Sequence, residues 1–193
     1  MTVRPRSRGP SGGIGREEAK TPASQVVRAV EPFDRFYERE FRSVVGLAYA
    51  LSGSRAASED LAQEAFIAAH RNWDKVGGYD KPEAWVRRVV SNLSVSRFRK
   101  RAAEVKAITR LAGFRDESVV LPELPAEAQE FWSNVRKLPK RQAQAIALHY
   151  LEDRSVADIA EILECAPNTV KVHLHKGRQR LAERLGVEME DGP

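Results

Sequence analysis

The chain has 193 residues, a net charge of +5 and a sequence pI near 9.5, which leaves room for one or two small domains and favours a polyanionic partner. Its single cysteine, Cys165, excludes an internal disulfide and fits a reducing, cytoplasmic setting. No apolar run approaches the roughly 18 residues that a membrane span needs. A glycine-rich phosphate loop, a nucleophile elbow and a convincing acid–base pair are missing from the sequence, so neither an enzyme nor a cofactor is expected.

Residues 1–31 are rich in Gly, Pro, Ser and charge without an apolar signal core, and read as a disordered tail. Over residues 32–51, Phe33, Phe36, Tyr37, Phe41, Val44, Ala48 and Leu51 recur at helical spacing, and Ser52 with Gly53 ends the run. Ser54 is placed to cap a second helix, whose small-residue seam of Ala57, Leu61, Ala65 and Ala68 continues to about Trp73. After Gly77 and Gly78, Asp80 and Glu83 stand at capping-box spacing and open a third helix, with Trp85, Val89 and Leu93 inward, running toward Arg101. Regularity fades over residues 102–126, where LPELP brings Pro122 and Pro125, and a linker is expected. Phe131, Val135 and Leu138 mark the next helix, and Pro139 starts another through Leu151.

Residues 155–184, SVADIAEILECAPNTVKVHLHKGRQRLAER, read as two amphipathic helices joined by a tight turn. Val156, Ile159, Ala160 and Leu163 form the inner face of the first, and Val170, Leu174, Leu181 and Leu185 that of the second. Pro167 suits a first helical turn because its missing N–H would be unpaired there anyway. Asn168, Val172, His175, Lys176 and Gln179 then point outward with Lys171 and Arg178 beside them, the layout of a recognition helix for a major groove. A bare helical hairpin is the alternative; the motif length and basic bias favour DNA. A zinc site from His173 and His175 is not expected, since positions i and i+2 on a helix lie about 160° apart, and no metal site is read elsewhere. Strand-like alternation and internal repeats are lacking. The expected fold class is therefore all-α, with small helical domains over 32–101 and 127–186, a flexible linker over 102–126 and a C-terminal tail over 187–193.

Charge is unevenly placed. Residues 87–101 hold six Arg or Lys and no acid, interleaved with Asn92, Ser94, Ser96 and Phe98, the mixture expected of a single-strand surface where phosphates meet cations and bases stack. For Trp85 alone, a core position is the favoured reading. SEDLAQEAF, residues 58–66, instead puts Glu59, Asp60, Gln63 and Glu64 outward; carboxylates repel DNA and suit a basic protein partner or plain solvent.

EDLAQEAF, YDKPEAWVRRVVSNLSVSRFRKR and LPKRQAQAIALHYLEDRSVADIAEILECAPNTVKVHLHKGRQRL, in that order, resemble the extracytoplasmic-function (ECF) class of bacterial RNA polymerase sigma factors over about residues 32–186, of an actinobacterial SigE-like type. The resemblance implies that the first block is sigma region 2 and the second region 4, and that the chain directs core RNA polymerase to promoter DNA. It implies that Asp60, Gln63, Glu64 and Phe66 dock on the clamp helices of the largest polymerase subunit. Trp85, Arg88 and Asn92, with Arg97, Arg99, Lys100 and Arg101, would meet the melted minus-10 strand, Asn92 holding an extruded base. Asn168, Thr169, Lys171, Val172, His173, His175, Lys176 and Arg178 would meet the minus-35 duplex. An anti-sigma protein is a further partner known to the family. Ala166 and Glu164 depart from the family's capping Ser and turn Gly, which predicts a looser turn, and His175 is read as a neutral surface histidine. A self-sufficient helix-turn-helix regulator and a partner-binding adaptor without a DNA role are the rivals.

Overall fold

In the computed structural model, residues 30–109 and 126–187 are described. The bulk of the expected tails and linker (1–29, 110–125 and 188–193) lies outside them. Eight helices and no strand are found among the described residues.

The N-terminal unit is built on three long helices. α1 (Phe33–Ser52) ends where Gly53 turns left-handed, φ 73°, and donates its N–H to the Tyr49 carbonyl at 2.8 Å. Glycine adopts that conformation without the Cβ clash other residues suffer. α2 (Arg55–Arg71) is capped by Ser54, whose hydroxyl accepts from the Ala57 N–H, as expected, and the short α3 (Trp73–Val76) follows it. α4 (Pro82–Thr109) starts with proline in its first turn, a position that needs no backbone N–H. The helix also continues past Arg101 into residues read as linker. Glu31, read as tail, is tied down: it pairs with Arg39 at 2.6 Å, and its carbonyl accepts from the Trp73 indole N–H at 3.1 Å.

Two inward faces differ from the expected ones. In α2 the buried positions are Leu61, Ala62, Ala65, Phe66 and Ala69 as well as Ser58, with Ala57 and Ala68 only partly covered. In α4, Val86, Val90 and Val95 are buried together with Arg87, Ser91 and Ser94, whereas Trp85, Val89 and Leu93 are half-buried. The reason is that α4 packs against α1 and α2 on one side and against the C-terminal unit on the other, so one apolar stripe does not describe its buried surface.

The C-terminal unit comprises α5 (Ala126–Arg136), α6 (Lys140–Tyr150), α7 (Val156–Leu163) and α8 (Pro167–Leu185). α6 is covered on all sides, every residue over 142–148 being buried. Ser155 caps α7 by accepting from the Asp158 N–H at 3.1 Å. Glu164 takes the left-handed conformation, φ 51°, that glycine would adopt more cheaply. The turn is nonetheless closed, with Cys165 N–H donating to the Ala160 carbonyl at 3.0 Å. α8 presents Val170, Leu174, Gly177 and Leu181 inward. A Cβ at Gly177 would stand 3.0 Å from the Ile146 side chain, so glycine there lets α8 cross close over α6. Ala166 gives α8 no side-chain cap. Ala166→Ser is therefore expected to add about 1 kcal/mol, read in thermal unfolding as a rise in Tm of about 2–4 °C.

The two units touch. α1 meets α5 and α6, and α4 meets α6 and α7.

Candidate nucleic-acid interface

Helical geometry turns the unburied face of α8 into a continuous polar strip. Asn168, Thr169, Lys171, His175, Lys176 and Arg178 are exposed, as the sequence implied, and His173 is half-buried. Val172 is the exception in character: an apolar side chain 48% exposed, of the kind that can contact a thymine methyl. Burial first, then the charges of Arg141 and Lys176, hold His173 below the ordinary imidazole range, so its ring is neutral at neutral pH. Arg180 donates to the Gln142 side-chain oxygen at 2.7 Å and pins α8 to α6.

Lys140 and Arg141 were not singled out from sequence. Lys140 is pushed below its usual pKa by burial and then by Arg141 and Arg99. Arg141 acts likewise on His173, so cations from α4, the start of α6 and α8 are near enough to repel one another. The available signal was the position of KR directly after Pro139. Cations in a first helical turn oppose the macrodipole, a cost that a phosphate would relieve.

On α4, Trp85 and Arg88 line an open cleft of about 570 Å³ with Tyr79, Lys81, Glu161 and Glu164. Trp85 is therefore neither fully core nor free surface. Arg88 forms an ion pair with Glu164, and Asn92 Oδ1 accepts from Gln144 Nε2 at 3.1 Å. Arg97, Arg99, Lys100 and Arg101 are exposed farther along the same helix.

Arg87 is a correction to the reading of residues 87–101 as cationic surface without countercharge. Its side chain is 2% exposed and pairs with Glu40 at 2.8 Å and with Glu152, itself 3% exposed. Burial opposes its charge, but Glu152 and then Glu40 more than offset this and hold its pKa above the usual value. The carboxylates come from α1 and from the turn after α6, so no local window of sequence reveals them.

The acidic face of α2 carries Asp60, Gln63 and Glu64 in solvent. Phe66 does not join them. It is 2% exposed, with its ring 5.0 Å from Tyr37 and 5.9 Å from both Phe36 and Phe41. Aromatic packing inside the unit, not partner contact, accounts for it. The apolar group beside the acidic residues is Ile67, 51% exposed. Its place off the buried stripe was the sequence signal for it. Among the described residues no cluster of His, Cys, Asp and Glu is arranged to hold a metal ion.

Three comparisons with known proteins bear on this arrangement. Residues 36–104 match the sigma-70 region 2 family and residues 128–181 the sigma-70 region 4 family. The ECF RNA polymerase sigma factor SigW of Bacillus subtilis is 32% identical over 151 residues, covering 72% of this chain and 81% of SigW. SigM of Mycobacterium tuberculosis, another ECF RNA polymerase sigma factor, is 27% identical over 182 residues, 92% of this chain and 91% of SigM. Among solved structures, sigma factor RpoE in complex with the anti-sigma factor NepR from Bartonella quintana superposes with a TM-score of 0.62 at 27% identity, covering 81% of this chain and 98% of RpoE. With both regions present in order, and SigW alike over most of its length, the chain belongs to the ECF RNA polymerase sigma factor family.

Proposed function

We propose that this sigma factor divides its work among three surfaces. Asp60, Gln63 and Glu64, with Ile67 in place of Phe66, dock on core RNA polymerase. Trp85, Arg88 and Asn92, with Arg97, Arg99, Lys100 and Arg101, hold the melted minus-10 strand. The outer face of α8, from Asn168 and Thr169 through Lys171, Val172, His173, His175 and Lys176 to Arg178, reads the minus-35 duplex, with Lys140 and Arg141 adding phosphate contacts. In residue terms the domains are region 2 over 32–101 and region 4 over 127–186. The observation that carries the reading is the exposed, basic α8 face on a closed helix-turn-helix, combined with a second basic helix in the other unit.

The mechanism is energetic. Polymerase supplies the chemistry, and this chain contributes sequence preference and the contacts that offset strand separation, about 1.4 kcal/mol per stacked step. Two weak DNA surfaces positioned by one polymerase add through effective concentration. In this reading the work lies with core polymerase and chromosomal promoters, in the cytoplasm. No helix among the described residues is long and apolar enough to cross a membrane. An anti-sigma protein is a further partner in this reading, as NepR is for the Bartonella protein. A finer SigE-like subtype has the support of 27% identity to SigE of Mycolicibacterium smegmatis, below the 32% to SigW.

Run-off transcription with core polymerase tests the proposal: transcripts are expected from a subset of chromosomal promoters, and none at any site would overturn it. Lys171→Ala or Arg178→Ala should weaken duplex binding and reduce the slope of log K against log salt by about 0.9 for each phosphate left without its cation. A slope equal to that of the native chain removes that residue from the duplex-binding face.

A further inference from the structure

The outward ridge of α8 is uncharged along its middle, although the helix is basic as a whole. Its inward direction is fixed by the buried Val170, Leu174 and Leu181 and by Gly177, where a Cβ would stand 3.0 Å from the Ile146 side chain. At about 100° per residue, Val172 then lies opposite the middle of that stripe, with Asn168 one turn before it and Gln179 two turns after it on the same line. All three are exposed. The cations stand to the sides. Lys171 and Arg178 fall about 100–120° away on one flank. On the other, Arg180 is drawn to Gln142 by a 2.7 Å hydrogen bond, and His173 is close enough to Arg141 to feel its charge.

A single exposed valine is ordinary on a protein surface. Two things set Val172 apart. It stands among polar groups at the centre of the face, half in solvent, and α8 has no need of it: valine loses side-chain freedom in a helix and forms one less readily than alanine. In a major groove, the base edge that suits a side chain without donor or acceptor is thymine, whose C5-methyl offers apolar contact. Cytosine in the same place presents an amino group instead, which valine would cut off from water without replacing the lost partner. Asn168 has what valine lacks. Its amide donates and accepts together, the pair of bonds that fits adenine N7 and N6. One helical turn advances about 6 Å at 1.5 Å per residue, and base pairs stack at about 3.4 Å, so the two side chains meet pairs one or two steps apart. Both lie in the first turns of the helix, the part that reaches base edges in a helix-turn-helix.

We propose that the minus-35 face reads A·T pairs with uncharged groups: Val172 selects a thymine through its methyl and Asn168 an adenine one or two steps away, while Lys171, Arg178 and Arg141 hold phosphates on either side. This rests on the minus-35 reading given above and adds to it the class of sequence read. Guanine is left to Lys176, the one cation of α8 that lies beside Val172 on the ridge. Because the methyl contact carries no charge, discrimination at the centre of the element is insensitive to salt, whereas overall affinity, carried by phosphate contacts, is not.

The full chain at low salt, used to select from a pool of duplexes with a randomised central block, should enrich an A·T-rich sequence. In the enriched duplex, deoxyuridine in place of the selected thymine removes the methyl and nothing else, and should weaken native binding about three- to fivefold, the worth of one buried methyl group, with an unchanged salt slope. Val172→Ala, at an exposed position, should keep its helical circular dichroism and bind the thymine and uracil duplexes alike. Asn168→Ala should lose the preference for adenine over its 7-deaza analogue while still sensing uracil; an unchanged preference removes the adenine half of the assignment. Binding that Lys171→Ala weakens but that no thymine methyl governs, whether or not a sequence is enriched, overturns the base assignment and leaves duplex binding by α8 standing. Binding that enriches no sequence and ignores Lys171→Ala overturns the minus-35 reading, and the base assignment with it.

Discussion

Phe66→Ala is expected to destabilise region 2 by about 3–5 kcal/mol, whereas its neighbour Ile67→Ala should stay within about 0.5 kcal/mol of the native chain. The two residues are adjacent in a segment implied to dock on polymerase, yet the helix sends them in opposite directions. Phe66 fills the space between Phe33, Phe36, Tyr37 and Phe41, and no smaller side chain reaches those rings, so truncation leaves a cavity as well as losing apolar burial. Ile67 is half in solvent. For polymerase affinity the order reverses: Ile67→Ala should weaken binding at unchanged stability, as loss of an apolar anchor among Asp60, Gln63 and Glu64 does at an interface centre. Urea unfolding and a titration with core enzyme separate the two effects. A stable, fully helical Phe66→Ala chain that fails to bind polymerase would restore Phe66 to the docking surface and refute its place in the core.

That pair also shows what kind of information the sequence holds. Helix existence was legible wherever apolar spacing and a boundary residue agreed: Gly53 ends α1, Ser54 caps α2, and Pro139 and Pro167 introduce α6 and α8. The recognition face of α8 was legible for the same reason, since Val170, Leu174 and Leu181 fix the inward direction and the remainder follows from the helical period. Reading failed where one element serves two neighbours. α4 buries Arg87, Ser91 and Ser94 along with its valines because region 4 covers its second side, and polar residues on a doubly covered helix are indistinguishable from a solvated face in the sequence. The partners that turn Arg87 from surface cation into buried ion, Glu40 and Glu152, lie far from it along the chain. Their pairing is a property of the tertiary fold and leaves no periodic trace. Departures from the family at Glu164 and Ala166 were visible, but their consequence was not: the turn remains hydrogen-bonded, and Glu164 gains an ion pair to Arg88 that glycine lacks the side chain to make.

Asn92→Ala is expected to reduce the population of open promoter complex by about 5–150-fold, the equivalent of the 1–3 kcal/mol lost when a polar partner is left unpaired, while polymerase affinity is unchanged because the acidic face of α2 is untouched. An amide both donates and accepts, so it matches a base edge that an alanine cannot. Opening each step costs about 1.4 kcal/mol, and removing one such hydrogen-bonding group is enough to leave the duplex closed. The same substitution removes the acceptor of Gln144, a contact within the free chain that urea unfolding reports separately. On the polymerase complex, permanganate reactivity reports strand opening and should fall. Normal permanganate reactivity in the variant would take the base-holding role from Asn92, leaving Gln144 as the group its side chain exists to meet.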